Sequence, residues 1–124
     1  MKPVLGRFTE PAYAFLRIVA GLMFAMHGAQ KLLGMFGGHQ TPIMTLPWFA
    51  GVIEVIAGIM IAVGLFTSIA AFIASGEMAF AYFIAHAPKG RNPLANGGEL
   101  AVLYCFLFLY MATRGGGRWS VERR

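Results

Sequence analysis

Residues 46–87 read LPWFAGVIEVIAGIMIAVGLFTSIAAFIASGEMAFAYFIAHA, and their only clearly polar interruptions are Glu54, Thr67, Ser68, Ser75, Glu77 and His86. As continuous helix this stretch would be roughly 63 Å long, about twice the ~30 Å hydrocarbon core of a bilayer, so it must cross twice. The break falls at Gly64-Leu65-Phe66-Thr67-Ser68, where a glycine and two hydroxyl residues suit a tight helix–helix turn. These two spans are placed at about residues 48–66 and 69–87.

Working outward, an earlier span is expected at about residues 13–33, entered through Pro11 and left through Gly34 and the Gly37-Gly38 pair. Lys2 and Arg7 ahead of the apolar run 18–26 raise a signal peptide as the competing reading, but no small-x-small cleavage site follows. A last span is placed at about 98–113, with a charge-free stretch only at 100–112, and a basic tail at 114–124 acts as its stop. The expected fold class is therefore all-α, a single-domain, four-helix transmembrane bundle. Composition agrees: 58% of residues are hydrophobic and 12% charged, about half the charged share of a soluble domain.

The net charge of +5 does not point to nucleic acid, because the basic residues sit at segment ends beside apolar runs. Anionic lipid headgroups are the expected contact. With an even number of spans, Lys2, Arg7, Arg114, Arg118, Arg123 and Arg124 share one side, against Lys31, Lys89 and Arg91 on the other. The positive-inside rule then puts both termini in the cytoplasm. Tyr13, Tyr110 and Trp119 fit a cytoplasmic aromatic belt, and Trp48 the outer one. Small residues recur at helical spacing, as Gly21, Ala25 and Gly28 or Ala29 on the first span, Gly51, Gly58 and Ala62 on the second, and Ala70, Ala74 and Ala81 on the third. Such faces let helix backbones approach closely in lipid.

An ionisable side chain near the bilayer centre costs roughly 2.5 to 3.5 kcal/mol on insertion scales, so each needs a reason. His27, Glu54 and Tyr82 all fall about 8 to 9 Å below the outer surface, counted along their spans at ~1.5 Å per residue. His86 and Glu99 lie above them, with Gln30 and Lys31 at the rim. Glu54 shares a face with Gly51 and Gly58 and must point into the bundle, while Glu77 lies near the midplane on the small face of the third span. Plain structural roles compete. Asn96 and Glu99 fit a capping pair at the last helix, Arg17 would snorkel or pair with a glutamate, and Lys31 would anchor at the interface.

Spacing excludes several chemistries. A di-iron carboxylate bundle needs Glu-x-x-His, yet Ala57, Phe80 and Val102 follow Glu54, Glu77 and Glu99 at that distance. Bis-histidine haem would have to use His27 and His86, which differ in depth by roughly 7 Å. No flavin, iron–sulfur or nucleotide motif appears, and no metal site is assigned. Cys105 is the only cysteine, so no disulfide and no C-x-x-C redox pair can form within the chain.

The sequence resembles the DoxX family of small four-helix bacterial membrane proteins. The likeness lies in Leu16-Arg17-Ile18 followed by Gly21, in His27-Gly28-x-Gln30-Lys31, in Glu54 with Gly58, in Gly97-Gly98-Glu99-Leu100 and in Gly117-x-x-Ser120. Glu122 stands where that pattern leads one to expect aspartate. The resemblance implies a multi-pass protein of the bacterial inner membrane, linked to quinone chemistry as a subunit of a respiratory or sulfur-linked oxidoreductase system. It carries Arg17, His27, Glu54 and Glu99 over as functional positions. Joined to the depth argument, it gives Arg17, His27, Glu54, Tyr82, His86 and Glu99 as candidate quinone-binding residues, and Glu54, His27 and Glu77 as candidates for proton chemistry. A protein partner carrying the redox centre, or a second copy of the chain, is then expected beside lipid. A non-enzymatic membrane scaffold is the alternative. A small-solute or proton-coupled transporter ranks third, because the first span carries Arg17 and His27 where the four-helix multidrug exporters carry a glutamate.

Overall fold

The computed structural model describes residues 1–122. Arg123 and Arg124, two of the tail cations counted above, lie outside the described residues. Every regular element in the described residues is helical: α1 (Thr9–Leu33), α2 (Leu46–Val63), α3 (Thr67–Ala81), the short α4 (Pro93–Asn96) and α5 (Glu99–Arg114). Beyond Ala81 the third helix widens into a π-helical turn, Tyr82–His86, and tightens to a 3-10 turn, Ala87–Lys89. Three helical segments, Gly6–Leu33, Leu46–Val63 and Thr67–Lys89, are long and apolar enough to cross a membrane. Helix α5 has 16 residues, which at ~1.5 Å each gives roughly 24 Å.

The helix ends follow from local chemistry. Gly34 and Gly64 terminate α1 and α2 in the left-handed conformation, at φ +69° and +78°. After Gly64 the Leu65 N–H donates back to the Met60 carbonyl at 2.8 Å, closing the α2 C-terminus. Pro47 stands in the first turn of α2, where a missing N–H costs nothing.

Packing is set by glycine. The backbones of α1 and α2 touch at two places seven residues apart on each helix, Gly21 against Gly58 and Ala62, and Gly28 against Gly51 and Val55. A Cβ on Gly21 would lie 2.6 Å from the Gly58 carbonyl oxygen, so no other residue fits without parting the helices. Helix α3 lays Ala70, Ala71 and Ala74 in the core and packs against α5. Ser75 Oγ donates to the Cys105 carbonyl at 2.7 Å, and Ser68 Oγ to that of Ala112. Phe24 on α1 meets Tyr104 and Phe108 of α5 with ring centroids 5.5 and 4.8 Å apart, joining the two helix pairs through one aromatic cluster.

Large apolar side chains such as Phe15, Leu22, Ile56, Ile69, Phe72 and Phe106 face outward on every long helix. Arg17 and Glu54, by contrast, are completely buried. This distribution suits hydrocarbon as the surrounding medium.

Candidate functional site

At the Lys31 end of the bundle a cavity of about 400 Å³ opens between α1, α2, the α3 extension and α5. His27, Lys31, Glu54, His86 and Tyr104 supply its polar wall, and Phe24, Met78, Ala81, Leu100 and Ala101 much of the apolar remainder. Beside it, between α2 and α3, runs a groove of about 480 Å³ walled by Phe49, Ile53, Ile73, Phe80 and Ile84, with Lys31 and Glu77 as its charged residues.

Glu54 reaches the cavity because it lies on the α2 face that meets α1, one turn from both Gly51 and Gly58. The glycine contacts hold that face against α1, and the residue is completely buried. Its Oε2 accepts a hydrogen bond from Lys31 Nζ at 2.5 Å, while Oε1 has no hydrogen-bond partner among the described residues. Lys31 follows His27 by four residues on α1, so both present to the same side of that helix. The Tyr104 ring meets the His27 ring in a T-shaped pair at 6.0 Å and stacks on Phe108, and its buried hydroxyl also lacks a hydrogen-bond partner among the described residues. A carboxylate oxygen and a hydroxyl, both orphaned, thus belong to residues lining one cavity. Each such group costs about 1–3 kcal/mol until something hydrogen-bonds to it.

The structure brings His27, Glu54 and His86 together, with Glu77 next to Glu54. Tyr82 does not line the cavity. Its hydroxyl accepts a hydrogen bond from Asn96 Nδ2 at 2.9 Å, and its ring packs on Gly98. Glu99 is exposed and lines neither cavity nor groove. It is the first residue of α5, too early for the third helical position that a capping pair with Asn96 requires. Asn96 instead ties the bend together, its Oδ1 accepting from Gly98 N–H and its Nδ2 donating to Tyr82 and the Gly90 carbonyl.

Arg17 sits at the opposite end. Nε donates to the Ile61 carbonyl, Nη1 to Gly116 and Arg118, and Nη2 to Ala62 and Trp119, so it neither snorkels nor pairs with a glutamate. It clamps the tail to the end of α2. The tail also pairs by backbone, Val121 N–H to the Val63 carbonyl and Glu122 N–H to that of Gly64, and Glu122 Oε1 accepts from the first N–H of α3 at 2.9 Å. A glutamate at that position therefore meets a helix N-terminus, where negative charge is favoured.

Lys31 was placed at the rim as an interfacial anchor and is instead the partner of Glu54, its i, i+4 relation to His27 being the available signal. One site residue escaped the sequence reading. Tyr104 was one aromatic among many. Its spacing to Phe108 and Met111 marks the buried face of α5, which makes a hydroxyl there unusual.

The sequence profile of the DoxX family matches residues 12–87, which include Arg17, His27, Lys31, Glu54, Glu77 and His86. The chain belongs to the DoxX family. An uncharacterized protein of Haemophilus influenzae is 48% identical over 127 residues, covering 97% of this chain and 95% of that protein. No solved structure matches the chain. As a DoxX protein with three apolar helices of spanning length, it is a membrane protein.

Proposed function

We propose that this DoxX protein crosses the bacterial inner membrane four times, α5 being the shortest crossing, and binds the ring of a lipid-soluble quinone in the cavity at the Lys31 end. The observation that carries this reading is the pair of orphaned groups, Tyr104 Oη and Glu54 Oε1, on residues lining a space large enough for a six-membered ring. A quinone supplies carbonyl oxygens that take up hydrogen-bond donors and, when reduced, hydroxyl groups that seek an acceptor. Tyr104 and His27 are the donors toward such oxygens, and Glu54 Oε1 is the acceptor. Phe24, Leu100 and Ala101 exclude water from the ring. Electrons exchange with a partner protein that carries the redox centre, in keeping with a subunit role.

Titration of a short-chain quinol, whose hydroxyl groups can donate to Glu54 Oε1 and accept from Tyr104 Oη, against the purified protein in detergent tests the site. Wild type and Glu99→Gln, whose side chain is outside the cavity, should bind saturably and alike. Glu54→Gln and Tyr104→Phe should each bind at least about tenfold more weakly, the equivalent of one hydrogen bond of ~1.4 kcal/mol. Absence of saturable binding by wild type, or equal binding by all four proteins, would favour the scaffold role instead.

Orientation is tested separately. In a Cys105→Ala background, cysteines introduced at the exposed positions His39 and Arg91 should react with an impermeant thiol reagent on intact cells, and one at Arg118 should react only after lysis. The opposite pattern would place the termini outside.

A further inference from the structure

Three ionisable groups stand between the cavity and the α2–α3 groove. Glu54 lines the first, Glu77 the second, and Lys31 both. The Glu77 carboxyl meets the Glu54 carboxyl, and Lys31 Nζ holds the Glu54 Oε2 at 2.5 Å. Glu54 is completely buried with Oε1 unpartnered, and Glu77 Oε1 is likewise buried without a partner. The other titratable groups lining the cavity are His27 from α1, His86 from the π-helical turn and Tyr104 from α5, and among the described residues no arginine and no second lysine lines either space.

The charges do not balance if both glutamates are ionised. Two carboxylates about 4 Å apart repel by roughly 4 kcal/mol even at an effective dielectric constant of ~20, and one ammonium cannot neutralise both. A single proton removes the excess charge and turns repulsion into an O–H···O hydrogen bond, satisfying an oxygen that otherwise has no partner.

We propose that Glu54 and Glu77 hold one proton between them, as an acid–carboxylate pair with Lys31 as counter-ion, and so form a proton-binding site at the wall of the cavity. The protonated carboxyl donates and the ionised one accepts, so the pair can give a proton to, or take one from, an oxygen in the cavity without bulk water. Lys31, with one-third of its side chain exposed, links the pair to the surface at its end of the bundle. The exchange with a cavity ligand rests on the quinone reading above; the shared proton rests on the side-chain geometry alone.

Infrared spectroscopy of the purified, ligand-free protein near neutral pH is the test. Wild type should show the C=O stretch of one protonated carboxyl, shifted on transfer to D₂O, and both Glu77→Gln and Glu54→Gln should lose it. If one variant fails to fold, the other and the wild-type spectrum still decide. Absence of the band from wild type, or its persistence in the variants that fold, would overturn the proposal. A band that appears only when sodium is withdrawn would also overturn it, by assigning the pair to a metal cation. Because no quinone is present, a protein that shows the band and binds no quinone keeps the proton site and loses only the ligand.

Discussion

Gly58→Ala should destabilise the bundle by about 2 to 3 kcal/mol, the upper part of the usual range for overpacking, whereas Gly76→Ala should leave it unchanged or stabilise it by up to ~1 kcal/mol. The two glycines occupy neighbouring helices of similar composition, and a propensity argument predicts the same gain for both. Their surroundings differ. A Cβ on Gly58 would lie 2.6 Å from both Ala25 N and the Gly21 carbonyl oxygen and 2.9 Å from Ala25 Cα, all backbone atoms that no change of rotamer can move. A Cβ on Gly76 would have nothing within 4 Å. Relief at Gly58 requires α1 and α2 to separate, which also pulls Lys31 from Glu54 one turn away. Thermal unfolding of both variants in the same detergent measures the difference. Equal midpoints would mean that the helices are not held in backbone contact.

Arg17→Ala should release the C-terminal tail. All five N–H groups of the guanidinium donate to carbonyl oxygens, two at the end of α2 and three in the tail, and the residue has no exposed surface. Loss of these bonds at about 1 kcal/mol each, with the tail carbonyls partly recovered by water, leaves a deficit of about 3 kcal/mol. That corresponds to roughly a hundredfold shift toward the detached tail. Arg17→Lys should not rescue it, because an ammonium has three donors and lacks the planar fork. The readout is the reaction rate of a cysteine at Ser120, whose side chain packs on Gly64, in a Cys105→Ala background. Equal rates with arginine and alanine at position 17 would show that the backbone pairing of Val121 and Glu122 holds the tail unaided.

Much of the fold was legible because hydrocarbon is a demanding solvent. The run 46–87 could not be one helix, Gly64 stood where the turn formed, and the heptad-spaced glycines marked the faces on which α1 and α2 now touch. Depth counting was also informative. It put His27 and Glu54 at one level, and both line the same cavity.

The same count failed for Tyr82 and Glu99 because depth says nothing about azimuth. The π-helical turn after Ala81 rotates the chain relative to a regular helix, so Tyr82 turns to Asn96 while His86 faces the cavity. The bend at Pro93–Asn96 makes Glu99 the first residue of its helix and leaves it outside.

What the sequence determined by itself was the medium, the division of 46–87 into two helices and the backbone approach of the first two helices. These depend on the length of apolar runs and on the absence of side chains at four glycines, which are local properties. What only the tertiary structure decided was the partner of each polar group: Lys31 for Glu54, five carbonyls for Arg17, Glu77 beside Glu54, and, among the described residues, none for the Tyr104 hydroxyl. In a low-dielectric interior a polar side chain is stabilised only by atoms within about 3 Å, and those atoms come from other helices whose rotation and register the linear order does not contain.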